Sequence, residues 1–126
     1  MAYIPYVEQS GLISQRLASA IINLNSGVKQ AIYTVPADKI LLLQKLVLRD
    51  PSGAIVLGTV AFGFNANADD VLPLTAHTQL NATSMFKNIT LGALGLVKGT
   101  AGQVFGAKPG ILQAVTCVVD LHGILL

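Results

Sequence analysis

YTVPADKILLLQKLVLRDPSG, residues Tyr33 to Gly53, is the stretch on which the reading of the fold turns. Pro36 fixes its own φ and steers Val35 away from the helical region, so Tyr33 to Val35 should be extended. As a strand, Ile40 to Leu48 places Ile40, Leu42, Gln44, Leu46 and Leu48 on one face. Leu41, Leu43, Lys45, Val47 and Arg49 then share the other. That second face passes from apolar to mixed along its length, so its first half should lie under something. A helix is the competitor, because Leu, Lys and Gln are good helix formers and Asp38 could cap one. Against it, no polar stripe recurs at helical spacing, and Asp50-Pro51-Ser52-Gly53 ends the run after about three turns' worth of residues. Asp-Pro-Ser-Gly suits a type I turn, with Pro second and Gly fourth. The stretch reads as a strand.

On the N-terminal side, Lys29 to Val35 alternates as a strand leading into it. Leu12 to Asn25 stays open: Ile13, Leu17, Ala20, Ile21 and Leu24 have helical spacing, while Ala18, Ala20, Ile22 and Leu24 alternate as a strand would. Met1 to Gly11 has little pattern and reads as an irregular arm, with Pro5 stopping regular structure. On the C-terminal side, Ile55 to Phe64 should put Val56, Val60, Phe62 and Phe64 on one face, with Gly58 and Gly63 at bulges or close backbone approaches. Asn65 to Asp70 is a polar loop, and Val71 to Leu74 a short extended piece. Met85 and Phe86 are the expected anchors of the Thr- and Asn-rich segment from Thr75 to Asn88. Leu91 to Val97 reads as a weak strand or a loop, and Gly99 to Gly110 as turns around a short Gln103 to Ala107 strand. The last strand, Leu112 to Leu121, should point Val115, Cys117, Val119 and Leu121 inward and Thr116, Val118, Asp120 and His122 outward. Short strands at this spacing, punctuated by Gly, Pro and Asn, predict one all-β domain: a β-sandwich over 12–126 with an N-terminal arm over 1–11.

The 126 residues, 13.1 kDa in mass, suffice for a single core. Hydrophobic residues make up 52% and charged residues only 11%, against about 25% charged in ordinary globular domains. So little charge covers a free monomer poorly, and predicts that part of the surface is buried against copies of the chain or a larger assembly. The net charge of +2 is not gathered into a basic stripe, and with no Trp there is no stacking platform. Nucleic acid is therefore not an expected partner. The one cysteine, Cys117, reads as a small buried hydrophobe. No stretch reaches the ~20 apolar residues of a spanning helix, and Met1 to Gly11 lacks the features of a signal peptide, so the expectation is a soluble chain made in the cytoplasm and no membrane partner.

Residues that could carry chemistry are sparse. Asn65-Ala-Asn67-Ala-Asp69-Asp70 sets oxygens at alternate positions, as a Ca²⁺ loop begins. It lacks the sixth-position Gly and has Ala76 where the bidentate Glu belongs. A solvated loop is the preferred reading, with an ion or a sugar as its alternatives. Asp120 and His122 point the same way on one strand without a nucleophile motif. Two distant His and one Cys give a zinc site nothing to build on. No catalytic residue, cofactor or metal is expected, and the chain is read as not an enzyme.

Tyr33-Thr-Val-Pro-Ala37, followed by Lys39 and a long apolar strand, resembles an opener found in virion proteins of tailed bacteriophages, as does the closing strand Val118 to Leu126. The resemblance implies a jelly-roll-like structural subunit located in the virion. Its expected role is a capsid decoration (cement) protein, commonly trimeric, that bridges major-capsid subunits. A tail, baseplate or fibre component, or a receptor- or carbohydrate-binding module, is the alternative. The candidate interface comprises Tyr3, Ile4, Tyr6 and Val7 of the arm and Leu41, Leu43 and Val47 of the central strand. Asp38 stands where the pattern usually has Gly.

Overall fold

The computed structural model describes residues 14–91 and 97–126, which form nine strands and, among the described residues, no helix. They are β1 (Gln15–Asn23), β2 (Gln30–Thr34), β3 (Ile40–Arg49), β4 (Thr59–Gly63), β5 (Leu72–Ala76), β6 (Phe86–Thr90), β7 (Val97–Thr100), β8 (Val104–Pro109) and β9 (Thr116–Leu125). Two antiparallel sheets result, β1-β9-β3-β6 with β7 also on β3, and β2-β8-β4-β5. Strands adjacent in sequence occupy matching places in opposite sheets: β1 with β2, β9 with β8, β3 with β4, β6 with β5. This is the order of a jelly roll, a single β-sandwich domain as expected.

β3 is the centre of the first sheet and pairs on one side with β9, from Leu41↔Leu125 to Arg49↔Val118. Its other side is shared by two short strands, β7 along Ile40 to Leu43 and β6 along Lys45 to Arg49. The register slips between Leu43 and Lys45, leaving Gln44 as an extra residue whose carbonyl accepts the Leu91 amide at 2.7 Å. Because side chains alternate with period two, one extra residue exchanges the faces beyond it. Leu41, Leu43, Leu46 and Leu48 are therefore all buried on the same face, while Val47 and Arg49 lie outside. This corrects the face assignment made from strict alternation: Leu41 and Leu43 belong to the core of their own subunit and do not share a surface with Val47.

The core joins that row to Ile22, Cys117, Val119 and Leu121 from the first sheet and Val60, Phe62, Phe105 and Ala107 from the second. Phe62 stacks on Phe105 with ring centroids 6.3 Å apart, and Phe64 meets Phe105 edge-on at 5.3 Å. The ambiguous N-terminal segment resolves as a strand because its alternating set Ala18, Ala20, Ile22 pairs with Leu121, Val119, Cys117. β4 begins only at Thr59, so Val56 is exposed on a loop. Met85 and Phe86 are exposed and anchor nothing in this subunit, since Lys87 and Ile89 take the inward positions opposite Leu48 and Leu46.

Asp38 has φ 64°, and the Pro36 carbonyl accepts the Lys39 amide at 3.2 Å around it. Asp tolerates this left-handed conformation with local help, which is how it replaces glycine in the turn. At Asp50 the chain also turns left-handed, φ 49°. Ser52 then ties to β9 instead of closing a turn on itself: its amide donates to the Thr116 carbonyl, and its Oγ accepts the Thr116 amide, both at 2.8 Å.

Cys117 is buried, and burial pushes its thiol up to about 11. Thiol reagents should therefore label the folded protein far more slowly than the unfolded chain. Cys117→Ser, which puts a hydroxyl into an apolar site, should cost about 1–3 kcal/mol in chemical denaturation. Rapid labelling under native conditions contradicts this placement.

Candidate interaction surfaces

The polar loop 65–70 spends its oxygens on itself. Asp70 Oδ1 accepts the Phe64 and Asn65 amides at 2.6 and 3.3 Å. Asn65 and Asp69 bond each other twice, Nδ2 to Oδ1 at 2.7 Å and amide to Oδ1 at 3.0 Å. Lys108 Nζ donates to Asn67 Oδ1 at 3.2 Å. The loop folds back over Gly63, where any Cβ would collide with Asp70. Beside it lies a groove of about 270 Å³ between Asn67, Asp69, Lys108 and the Leu74, Pro109, Gly110 wall. No aromatic ring lines it, because Phe62 and Phe64 point into the core. The stacking surface a sugar site uses is thus committed elsewhere. Among the described residues, no three His, Cys, Asp or Glu side chains converge as metal ligands.

Asp120 and His122 do share a face, the outer face of the first sheet, but they serve different neighbours. Asp120 is buried there and pairs with Arg49, Nε to Oδ2 at 2.7 Å. Burial pushes its carboxyl up, but hydrogen bonds from Arg49 and Ser19 and the charges of Arg49 and Arg16 outweigh it, so it titrates below the usual range. Arg49 also reaches Asp50, Nη1 to Oδ2 at 2.6 Å. His122 sits in register between Arg16 of β1 and Lys45 of β3. Burial, then Lys45 and Arg16 lower its basicity against the opposing pull of Asp120. Two cations, Arg16 and Lys45, thus flank His122 across three strands, with Val47 beside the ion pair. Such a face suits contact with an acidic surface.

Two side chains that sequence reading missed organise one end of the molecule. Gln113 Oε1 accepts three successive amides, Val56 at 3.0 Å, Leu57 at 2.9 Å and Gly58 at 3.0 Å, while its Nε2 donates to the Ala54 carbonyl at 2.8 Å. Its only signal in the sequence is a lone amide in the apolar run from Ile111 to Val115. His77 is fully buried, edge-on to Phe62, with Nδ1 3.0 Å from Lys87 Nζ. That contact links the β5–β6 connection to β6 across the sandwich edge. Among the described residues, His77 Nε2 has no hydrogen-bond partner.

Tyr3, Ile4, Tyr6 and Val7 lie outside the described residues, as does most of the Leu91 to Val97 segment. Of the central-strand candidates, Leu41 and Leu43 are unavailable to a partner because they fill the core, whereas Val47 is half-buried on the outer face.

No protein-family model matches the chain, and no curated protein matches it in sequence. Among solved structures, it is similar to a chain of the "Acidic stable capsid structure of Helicobacter pylori bacteriophage KHP30", with a TM-score of 0.57 at 16% identity. The superposition covers 90% of this chain and 98% of that one. At this identity the likeness is one of fold.

Proposed function

We propose that the chain is a non-enzymatic structural subunit of a bacteriophage virion, and specifically a capsid decoration protein that acts as a homotrimer bridging neighbouring major-capsid subunits. The observation that carries this reading is the end-to-end likeness to a chain in a phage capsid: nearly all of one small sandwich matches nearly all of another, so the match is not to one domain of a large shell protein. The surface agrees with work done by contact area. Its loop carboxylates and amides are occupied by internal hydrogen bonds, and its outer sheet face mixes aliphatic side chains with cations.

Attachment is assigned to the arm, residues 1–11, where Tyr3, Ile4, Tyr6 and Val7 are apolar while Pro5 and Gly11 disfavour a regular element. Inserted into a neighbouring surface, each of the larger side chains contributes roughly 1.5–3 kcal/mol before the ordering cost of the arm. Mass spectrometry of purified virions should recover the chain with the shell proteins, and added protein should raise the temperature at which shells lacking it rupture. Recovery only with tails overturns the head assignment, and absence from virions overturns the reading. Removing residues 1–11 should leave the melting curve unchanged and abolish shell binding. A truncated protein that melts far earlier and aggregates would mean that the arm covers its own subunit.

A further inference from the structure

Charge is unevenly shared between the two ends of the sandwich. At one end, Asp50 is paired with Arg49, and apart from it the connecting stretches 24–28, 51–58, 77–85 and 110–115 contain no Asp, Glu, Lys or Arg. The loops at the opposite end carry Asp38, Lys39, Asp69 and Asp70. Lys29, next to the first uncharged stretch, is turned away and donates to the Phe64 and Val104 carbonyls at 2.9 and 2.8 Å. Five aliphatic side chains project from the uncharged end, Val28, Val56, Leu57, Ile111 and Leu112, each 45–66% exposed. Their loops are tied together: the Leu24 amide donates to the Val115 carbonyl, the Gln113 amide to the Leu24 carbonyl, and the Thr59 amide to the Ile111 carbonyl. With Gln113 clamping residues 54–58, the apolar groups are held in place before any partner arrives, which lowers the ordering cost of binding.

We propose that this end is where copies of the chain associate; the inference names the contact of the homotrimer and rests on that reading. Three observations favour a second copy as the occupant. A patch without charge meets its own copy without like-charge repulsion, whereas the outer face of the first sheet would oppose Arg16, Lys45 and Lys98 to themselves. The five side chains offer on the order of 300 Å² of apolar surface per copy. A standard-size interface takes ~800 Å² per partner, somewhat over half of it apolar, so this end supplies most of the apolar part. Finally, charged residues are depleted at the cores of such interfaces, as they are here.

The test is sedimentation velocity of the full chain and of a Leu57→Lys, Ile111→Lys double variant across the micromolar range. Both positions are exposed and Gln113 is retained, so each subunit should still unfold cooperatively, its thermal midpoint falling only by the stability that association contributes. The wild type should sediment as an oligomer, and the variant should dissociate at concentrations at least tenfold higher than those at which the wild type does. Should the double variant fail to fold, Val56→Ser, at the most exposed of the five positions, provides the same reading. A variant that assembles like the wild type overturns the contact and leaves the oligomer reading standing. A monomeric wild type overturns both. A variant that assembles normally but no longer binds shells reassigns this end to the shell and also overturns the inference.

Discussion

Deletion of Val47 should leave the chain without a cooperative folding transition. Beyond the bulge, Leu46 and Leu48 face the core while Val47 and Arg49 face outward, so with Val47 gone strict alternation carries Leu48 to the outer face and turns Arg49 inward. Leu48 is fully buried, and exposing it costs about 1.5–3 kcal/mol. Arg49 would leave Asp120 and carry its charge into an apolar core, and an ion buried without a partner costs several kcal/mol more. The sum is comparable with the whole ~5–15 kcal/mol stability of a small domain. Giving up the bulge offers no escape, because it exchanges this fault for an outward Leu46 and an inward Lys45. Val47→Ala is the control: it keeps the residue count, and Val47 is only half-buried on the outer face, so its melting curve should shift little. Deletion of Gln44, by contrast, removes the extra residue and leaves Leu41, Leu43, Leu46 and Leu48 on one face by plain alternation, so that variant should fold. A Val47 deletion with the wild-type melting curve would show that the phase of β3 is not fixed beyond the bulge.

Acid should destabilise the protein through His77. Burial, then the charge of Lys87, lower its pKa from 6.5 to about 4, with a weaker backbone interaction at Val60 opposing them. The unfolded chain therefore binds the proton more readily than the folded one. The contribution of neutral His77 is complete above pH 6.5, falls away as the pH drops from 6.5 to about 4, and changes no further below that. Over this window the loss is about 3 kcal/mol. Geometry gives the same sign, because a protonated Nδ1 can no longer accept from Lys87 Nζ and faces its charge instead. His77→Asn keeps an acceptor near the Nδ1 position and removes the titration, so its denaturation midpoint should be flatter between pH 6.5 and 4.5. His122 is displaced in the same direction, so the difference between wild type and variant, rather than the wild-type slope alone, isolates His77. Equal slopes for the two proteins would exclude the mechanism.

Much of the candidate surface was not legible residue by residue. Val47 was placed on a solvent-side face only through the bulge, and Leu41 and Leu43 left the interface for the core for the same reason. Val56, Leu57, Ile111 and Leu112 look like strand interior when read along the chain, since each lies in an apolar run. They reach solvent because β4 starts at Thr59 and β9 at Thr116, so both runs begin as loops. Gln113 and His77 are single polar residues without local partners, and their roles depend on contacts at separations of 55–59 and 10 residues.

The sequence by itself determined the all-β class, the strand character of Ile40 to Leu48, the inward set Val115, Cys117, Val119 and Leu121, and a surface poor in charge. These follow from local properties: Pro and Gly punctuation, period-two alternation, and composition. The jelly-roll pairing, the phase of β3 beyond Gln44, the buried His77 and the uncharged end were decided only by the tertiary structure. A strand's period is written in its own residues. Its partner is not, and neither is the place where one residue must be left over for two ladders on its opposite sides to stay in register.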